Sequence, residues 1–245
     1  MLLKDKVAVI YGAAGAVGGA VARAFAAEGA RLFLTGHHVA GAEVDAFDER
    51  AIDQHLRAVV DEAGRVDISF NAIGLPNPTT RMSLTDMPAD QFLLPIATYA
   101  RSYFLTARLA ARRMVASGSG VIMAVTSTPA RSGVPYVGGG GAAMAAVEAL
   151  TRGLSAELAP HGVRVVGLRP QGMPDTPRIQ KSFESYAAAS GQSWQQFHDA
   201  LASRTHTRRL STLDDLANTA VFLASDKAAG LTGTTVNLSM GSLDD

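Results

Sequence analysis

The apolar run Val7 to Tyr11 passes without a break into Gly12-Ala13-Ala14-Gly15-Ala16-Val17-Gly18-Gly19, and a helical spacing of apolar residues follows over 17–27. A buried strand that ends in a glycine-rich turn and opens a helix is the first half of a strand-helix-strand crossover, so it commits the chain to a parallel sheet. The glycines let the backbone turn tightly and approach a pyrophosphate. The free N–H groups and the positive end of the helix dipole would stabilise the phosphate charge. The same turn also serves as a plain strand-to-helix connection. Its place at the first strand of a longer β/α series favours the phosphate cradle, with Gly12, Gly15, Ala16, Val17 and Gly18 as its members.

The series continues along the chain. Short β-rich apolar runs at 7–11, 31–34, 42–44, 68–70, 121–125, 163–168 and 234–238 alternate with helical patterns at 17–27, 49–63, 91–116, 142–158 and 213–224. Seven such strands predict an α/β fold, a doubly wound Rossmann sheet buried on both faces. With 245 residues, 47% of them hydrophobic, one domain spanning 1–245 is expected. Residues 175–209 are more polar, hold the only tryptophan, Trp194, and read as an inserted helical lid over a substrate.

Composition narrows the partners. Lys plus Arg and Asp plus Glu are 22 each, so no overall field recruits nucleic acid or an anionic membrane, and small-molecule or protein partners are expected. The absence of cysteine removes disulfides, thiolate nucleophiles and Cys-ligated metals, and the six histidines lack ligand spacing, so no metal site is expected. No signal-peptide pattern opens the chain and no uncharged apolar run reaches membrane-spanning length. A soluble cytoplasmic protein is expected.

Further motifs carry a resemblance. Asp45 follows the expected third strand, Asn71-Ala72-Ile73-Gly74 the fourth, Ser127 the fifth, and Pro170 and Gly172 the sixth, while Thr232-Gly233-Thr234 precedes the seventh. In this order they resemble the short-chain dehydrogenase/reductase family over nearly the whole chain, with Asn-Ala-Ile-Gly in place of the family's Asn-Asn-Ala-Gly. The glycine spacing departs from the family's standard-length pattern and places Ala16 at the usual middle glycine. The resemblance implies a nicotinamide dinucleotide held by Gly12, Gly15, Ala16, Val17, Gly18, Asp45, Asn71, Ile73, Gly74, Pro170, Gly172 and Thr176, and a homodimer or homotetramer. At the end of the second strand, Thr35-Gly36-His37-His38 offers no acid to hold the ribose hydroxyls. His37 falls where NADP-preferring relatives place arginine, so NADP is expected over NAD, which is not excluded; alternatively both histidines are solvated loop residues. Only a turn fits between His38 and Ala42, so the helix that usually joins the second and third strands is missing.

The family's chemistry uses a tyrosine acid, a lysine four residues later on the same helical face, a serine and an asparagine. Ser127 matches the serine. Counting 13 residues onward reaches Gly140 and four more reaches Met144; helix alignment puts Tyr99 at the asparagine. Gly140 lies in the tetraglycine 138–141, which also reads as an entry loop, and Met144 in an Ala-rich run that also reads as core or interface filler. A positioned general acid contributes roughly 10²- to 10⁴-fold, so ordinary ketone reduction is not expected. Ser127 is a candidate site residue or a strand-end cap, and Tyr136 and Tyr99 are candidate substitute acids or packing residues. Three functions remain open: an oxidoreductase for activated C=O, C=N or C=C bonds, a non-redox dehydratase, isomerase or cyclase, and a silent cofactor-binding or partner subunit.

Overall fold

The computed structural model describes residues 1–36, 41–74, 82–189 and 191–244. The chain runs β1 (Val7–Tyr11), α1 (Ala16–Ala27), β2 (Arg31–Thr35), α2 (Glu49–Ala63), β3 (Ile68–Asn71), α3 (Ala89–Ser117), β4 (Gly120–Val125), α4 (Gly140–Leu158), β5 (Val163–Pro170), α5 (Pro177–Ala189), α6 (Trp194–Ala202), α7 (Leu213–Ala224) and β6 (Thr234–Leu238). The strands form one parallel sheet in the order β2-β1-β3-β4-β5-β6. The strand order reverses between β1 and β3, so a crevice opens beyond Tyr11 and Asn71, which are register partners.

The sheet has six strands among the described residues, not seven. Residues 42–44 make a single parallel bridge, Ala42 to Thr35, held by Ala42 N–H to the Leu34 carbonyl at 3.0 Å and Gly36 N–H to the Ala42 carbonyl at 3.3 Å. A three-residue run with Glu43 exposed has too little apolar surface to extend that bridge into a ladder. The chain leaves the sheet edge there and enters α2, whose first amides are capped by Asp48 Oδ1 (Arg50 N, 2.8 Å; Ala51 N, 3.2 Å).

Alternation along β1 shows why both faces need cover. Ala8 and Ile10 join Phe25, Phe70, Leu168 and Leu216 in a core under α1 and α7. Val7, Val9 and Tyr11 join Leu56, Tyr103, Ile122 and Val165 under α2, α3 and α4. Successive side chains point to opposite faces, and helices on both sides bury them.

The 175–209 segment holds α5 and α6. Phe183 stacks on Trp194 at 6.3 Å between ring centroids and meets Phe197 edge-on at 5.8 Å, which gives this polar stretch its own small aromatic core. A Cβ added at Gly172 would overlap the tip of the Phe183 ring, so any larger residue there requires that ring to move, and this contact ties α5 to the end of β5. Among the described residues, no helix is long and apolar enough to cross a membrane.

Candidate active site

The glycine turn is built by close approach. Gly12 has φ +78°, and a Cβ there would lie 2.8 Å from the Ala72 carbonyl oxygen. A Cβ at Gly18 would overlap the Gly12 carbonyl, so α1 seats directly on the turn. Gly15 is the N-cap of α1, and no side chain caps this end. The first amides of α1, from Ala16, are therefore left to the crevice at the strand-order reversal. Ala16 is half-buried at the helix start without disturbing this geometry. The residues present fit a pyrophosphate.

Neighbouring side chains are placed by the strand ends. Asn71 is buried; its Nδ2 donates to Thr106 Oγ1 at 2.9 Å and its Oδ1 accepts from Ile73 N at 3.1 Å, which fixes the turn at 72–74 beside Gly12. Asp45 is exposed and accepts from Phe47 N at 2.9 Å. His37 lies outside the described residues.

A cleft of about 200 Å³ opens next to the turn. Val17 borders it from α1, Ile73 and Gly74 from the end of β3, and Tyr99 from α3. Thr126 and Ser127 border it beyond β4, Met144 from α4, Pro170 and Gly172 from β5, and Thr176 and Arg178 from the entry to the lid. Ser127 precedes a short 3₁₀ turn over Thr128–Ala130, and its hydroxyl makes no capping bond there. Met144 is 7% exposed. The cleft thus gathers Ser127 and Tyr99 but not Tyr136, which stands 55% exposed on a turn with φ +62°.

The tetraglycine resolves into different roles. A Cβ at Gly139 would overlap the Phe92 carbonyl, and one at Gly141 would lie 2.9 Å from the Pro129 carbonyl, so rigid backbone excludes side chains at both. At Gly140 an added Cβ meets only Val137 Cγ1, at 3.0 Å, the movable tip of a side chain. Packing requires glycine at 139 and 141 but not at 140.

Two cleft residues were not legible in the sequence. Gln171 lies between Pro170 and Gly172, and its Oε1 is buried with no hydrogen-bond partner among the described residues. A buried acceptor left open at a cleft is a place for a ligand's N–H. Arg178 is the second residue of α5; its nitrogens come within 3.6 and 3.9 Å of the point where a Gly74 side chain would begin, and the Tyr99 hydroxyl within 3.8 Å of the same point. Only the packing of the lid reveals either placement. Behind the cleft, the Thr126 hydroxyl donates to Glu148 Oε1 at 3.0 Å, and Glu148 pairs with Arg169. Among the described residues, no three His, Asp or Glu side chains gather in a metal-binding arrangement.

A parallel sheet with its glycine turn at the strand-order reversal, and a cleft bordered by Ser127, defines a Rossmann-class nucleotide-binding protein. Residues 12–242 match the family model described as Enoyl-(Acyl carrier protein) reductase, and the chain belongs to the short-chain dehydrogenase/reductase family. It is 32% identical to 1,6-dihydroxycyclohexa-2,4-diene-1-carboxylate dehydrogenase of Pseudomonas putida, with 98% of this chain and 93% of the relative covered. Its fold is that of NAD+-bound xylitol dehydrogenase (TM-score 0.90, 22% identity, 98% and 100% covered). It also matches an actinorhodin polyketide ketoreductase variant with NADPH (TM-score 0.86, 24% identity, 97% of both chains).

Proposed function

We propose that this protein is a nicotinamide-dependent oxidoreductase, preferring NADP, for a small molecule whose C=O, C=N or C=C bond is already activated. The observation that carries the reading is that Val17, next to the glycine turn, Ser127, Tyr99 and Met144 line one cleft that has no lysine among its described lining residues. The count from Ser127 assigns Gly140 and Met144 to the family's tyrosine and lysine positions. Without that pair the rate loses the roughly 10²- to 10⁴-fold of a positioned acid, and an activated substrate makes up the difference. A nicotinamide group, when bound, supplies or accepts a hydride.

The chain's own residues provide the rest. The first amides of α1 would hold the pyrophosphate, and the buried, unpartnered Gln171 Oε1 would accept an N–H of the ligand. Ser127 and Tyr99 orient the substrate oxygen by donating hydrogen bonds. Met144 keeps this part of the cleft apolar, and glycine at 140 supplies no proton-donating side chain. Thr35 and Gly36 at the end of β2 offer no carboxylate against a 2′-phosphate, which supports NADP. NAD+ and NADPH are each bound by one of the similar structures. A cytoplasmic homodimer or homotetramer completes the proposal.

The test is a titration of the pure protein with NADPH and with NADH, followed through the fluorescence of Trp194. The proposal expects saturable binding, tighter for NADPH. No saturation by either cofactor at millimolar concentration would overturn it.

A further inference from the structure

A second cavity, of about 240 Å³, shares no lining residue with the cleft. It is bounded by α4, by the residue that ends the 3₁₀ turn after β4, and by the start of β6. β6 is the edge strand of the sheet and none of its residues is fully buried, so the surface beside it stays open. Apart from Gly233, every described lining residue is polar or charged.

The charges around this cavity do not balance. Arg131, Arg152 and Arg169 line it, with Glu148 as the single carboxylate among the described lining residues. Glu148 is fully committed: Oε1 accepts from Arg169 Nε at 2.7 Å and from the Thr126 hydroxyl at 3.0 Å, and Oε2 accepts from Arg169 Nη2 at 3.1 Å. Arg152 stands four residues after Glu148 on α4, the spacing at which an acid and a base on one helix ordinarily pair. Arg169 has taken that acid, and the Arg152 guanidinium has no partner among the described residues. Arg131 is likewise without a side-chain partner, while its backbone N–H is held by the Thr128 carbonyl at 3.0 Å. Thr234 and Thr235 add two hydroxyls that are also unpartnered among the described residues. One concave site thus keeps two positive charges that repel each other, and a dianion between them relieves that repulsion.

We propose that this cavity binds the phosphate group of a small phosphate monoester. Such a group carries about 1.5 to 2 negative charges at pH 7 and three acceptor oxygens, which matches the charge left by Arg131 and Arg152. Each guanidinium offers two parallel hydrogen bonds to phosphate oxygens, and the threonine hydroxyls donate to what remains. A carboxylate brings one charge and two oxygens, so it leaves half of the excess uncompensated. The volume is several times the roughly 30 Å³ share of a liquid water, enough for a polyatomic anion. The site does not depend on the reaction assigned to the cleft.

Phenyl phosphate and benzoate are titrated by calorimetry into wild type, R131Q, R152Q, the double variants R131Q/R152Q and R131K/R152K, and R112Q. The last removes an exposed arginine of α3 outside the cavity. Wild type should bind phenyl phosphate saturably and about tenfold or more tightly than benzoate. Each single glutamine variant should weaken it about three- to tenfold, and R131Q/R152Q should show no saturation. R131K/R152K should keep part of the affinity, which guards against misfolding of the glutamine variants, and R112Q should match wild type. No saturable binding by wild type, equal affinity for benzoate, or an equal loss in R112Q would overturn the proposal. Phenyl phosphate displaced by NADPH and bound equally by R131Q/R152Q would place the anion at the glycine turn, which also overturns it. Absent phosphate binding together with a smaller sedimenting species for R131Q/R152Q would give the arginines to carboxylates of a second copy, again against the proposal.

Discussion

Glu148 on α4 holds Arg169 at the end of β5 through two hydrogen bonds, Arg169 Nε to Oε1 at 2.7 Å and Nη2 to Oε2 at 3.1 Å, with both side chains 3% exposed. Thr126, which borders the cleft, donates to the same Oε1. The pair thus braces the β4 and β5 ends that carry Ser127 and Pro170. Replacing Glu148 by Gln leaves a buried guanidinium without its counter-charge, a change that costs about 3–5 kcal/mol in such sites. Urea unfolding should show a loss of that order for Glu148→Gln. A Glu148→Met/Arg169→Met double variant should lose much less, because two desolvation penalties vanish together. Equal losses would contradict this account of the pair.

Tyr11 ends β1 fully buried, and its hydroxyl has no hydrogen-bond partner among the described residues. Burial pushes its phenol well above the usual tyrosine range, with Arg113 opposing weakly, so the neutral form persists at any physiological pH. Removing an unsatisfied buried hydroxyl removes a desolvation cost. Tyr11→Phe should therefore raise stability by about 1 kcal/mol, read as a higher denaturant midpoint with unchanged slope. A lower midpoint would show that the hydroxyl has a partner in solution.

Asp215 closes the capping box of α7 with Thr212 and is paired with Arg209. The Arg209 hydrogen bond chiefly, with help from Thr212 and against a desolvation penalty, holds its carboxyl at about 2. Its folded pKa lies below the unfolded value of about 3.9. Its contribution is therefore complete above the unfolded value and is lost as pH falls toward the folded one. The stability gap between wild type and Asp215→Asn should be constant from pH 7 to 5 and narrow below pH 4. A gap unchanged at pH 3 would mean that the cap works without its charge.

The sequence made the framework legible because burial on both faces leaves continuous apolar runs: β1, β6, α2 and α7 lie where periodicity places them. Strand ends were underestimated at Thr35, Asn71 and Pro170, polar or cyclic residues that ladder pairing with neighbours brings into the sheet. The run at 42–44 failed as a strand because local pattern does not report whether a partner edge continues beside it. At the site, the glycine turn and Ser127 could be read from order along the chain. Gln171 and Arg178 could not: the burial of Gln171 follows from how the end of β5 packs, and the place of Arg178 from α5, whose Phe183 lies against Gly172, a contact between segments with no shared pattern. Tyr136 is near Gly140 in sequence, but its left-handed turn carries it to the surface.

On the proposed reading, the cofactor framework is kept while Gly140 and Met144 take the positions of the family's proton-donating pair. A Cβ added at Gly140 meets only the tip of Val137, at 3.0 Å, and Met144 borders the cleft. The most direct measurement is NADPH oxidation with cyclohexanone, an unactivated ketone, by wild type and by the Gly140→Tyr/Met144→Lys variant. The account predicts no turnover above background for wild type and a gain of about 10²-fold or more for the variant. Cyclohexanone reduction by wild type, or no gain in a variant that binds NADPH, would contradict it.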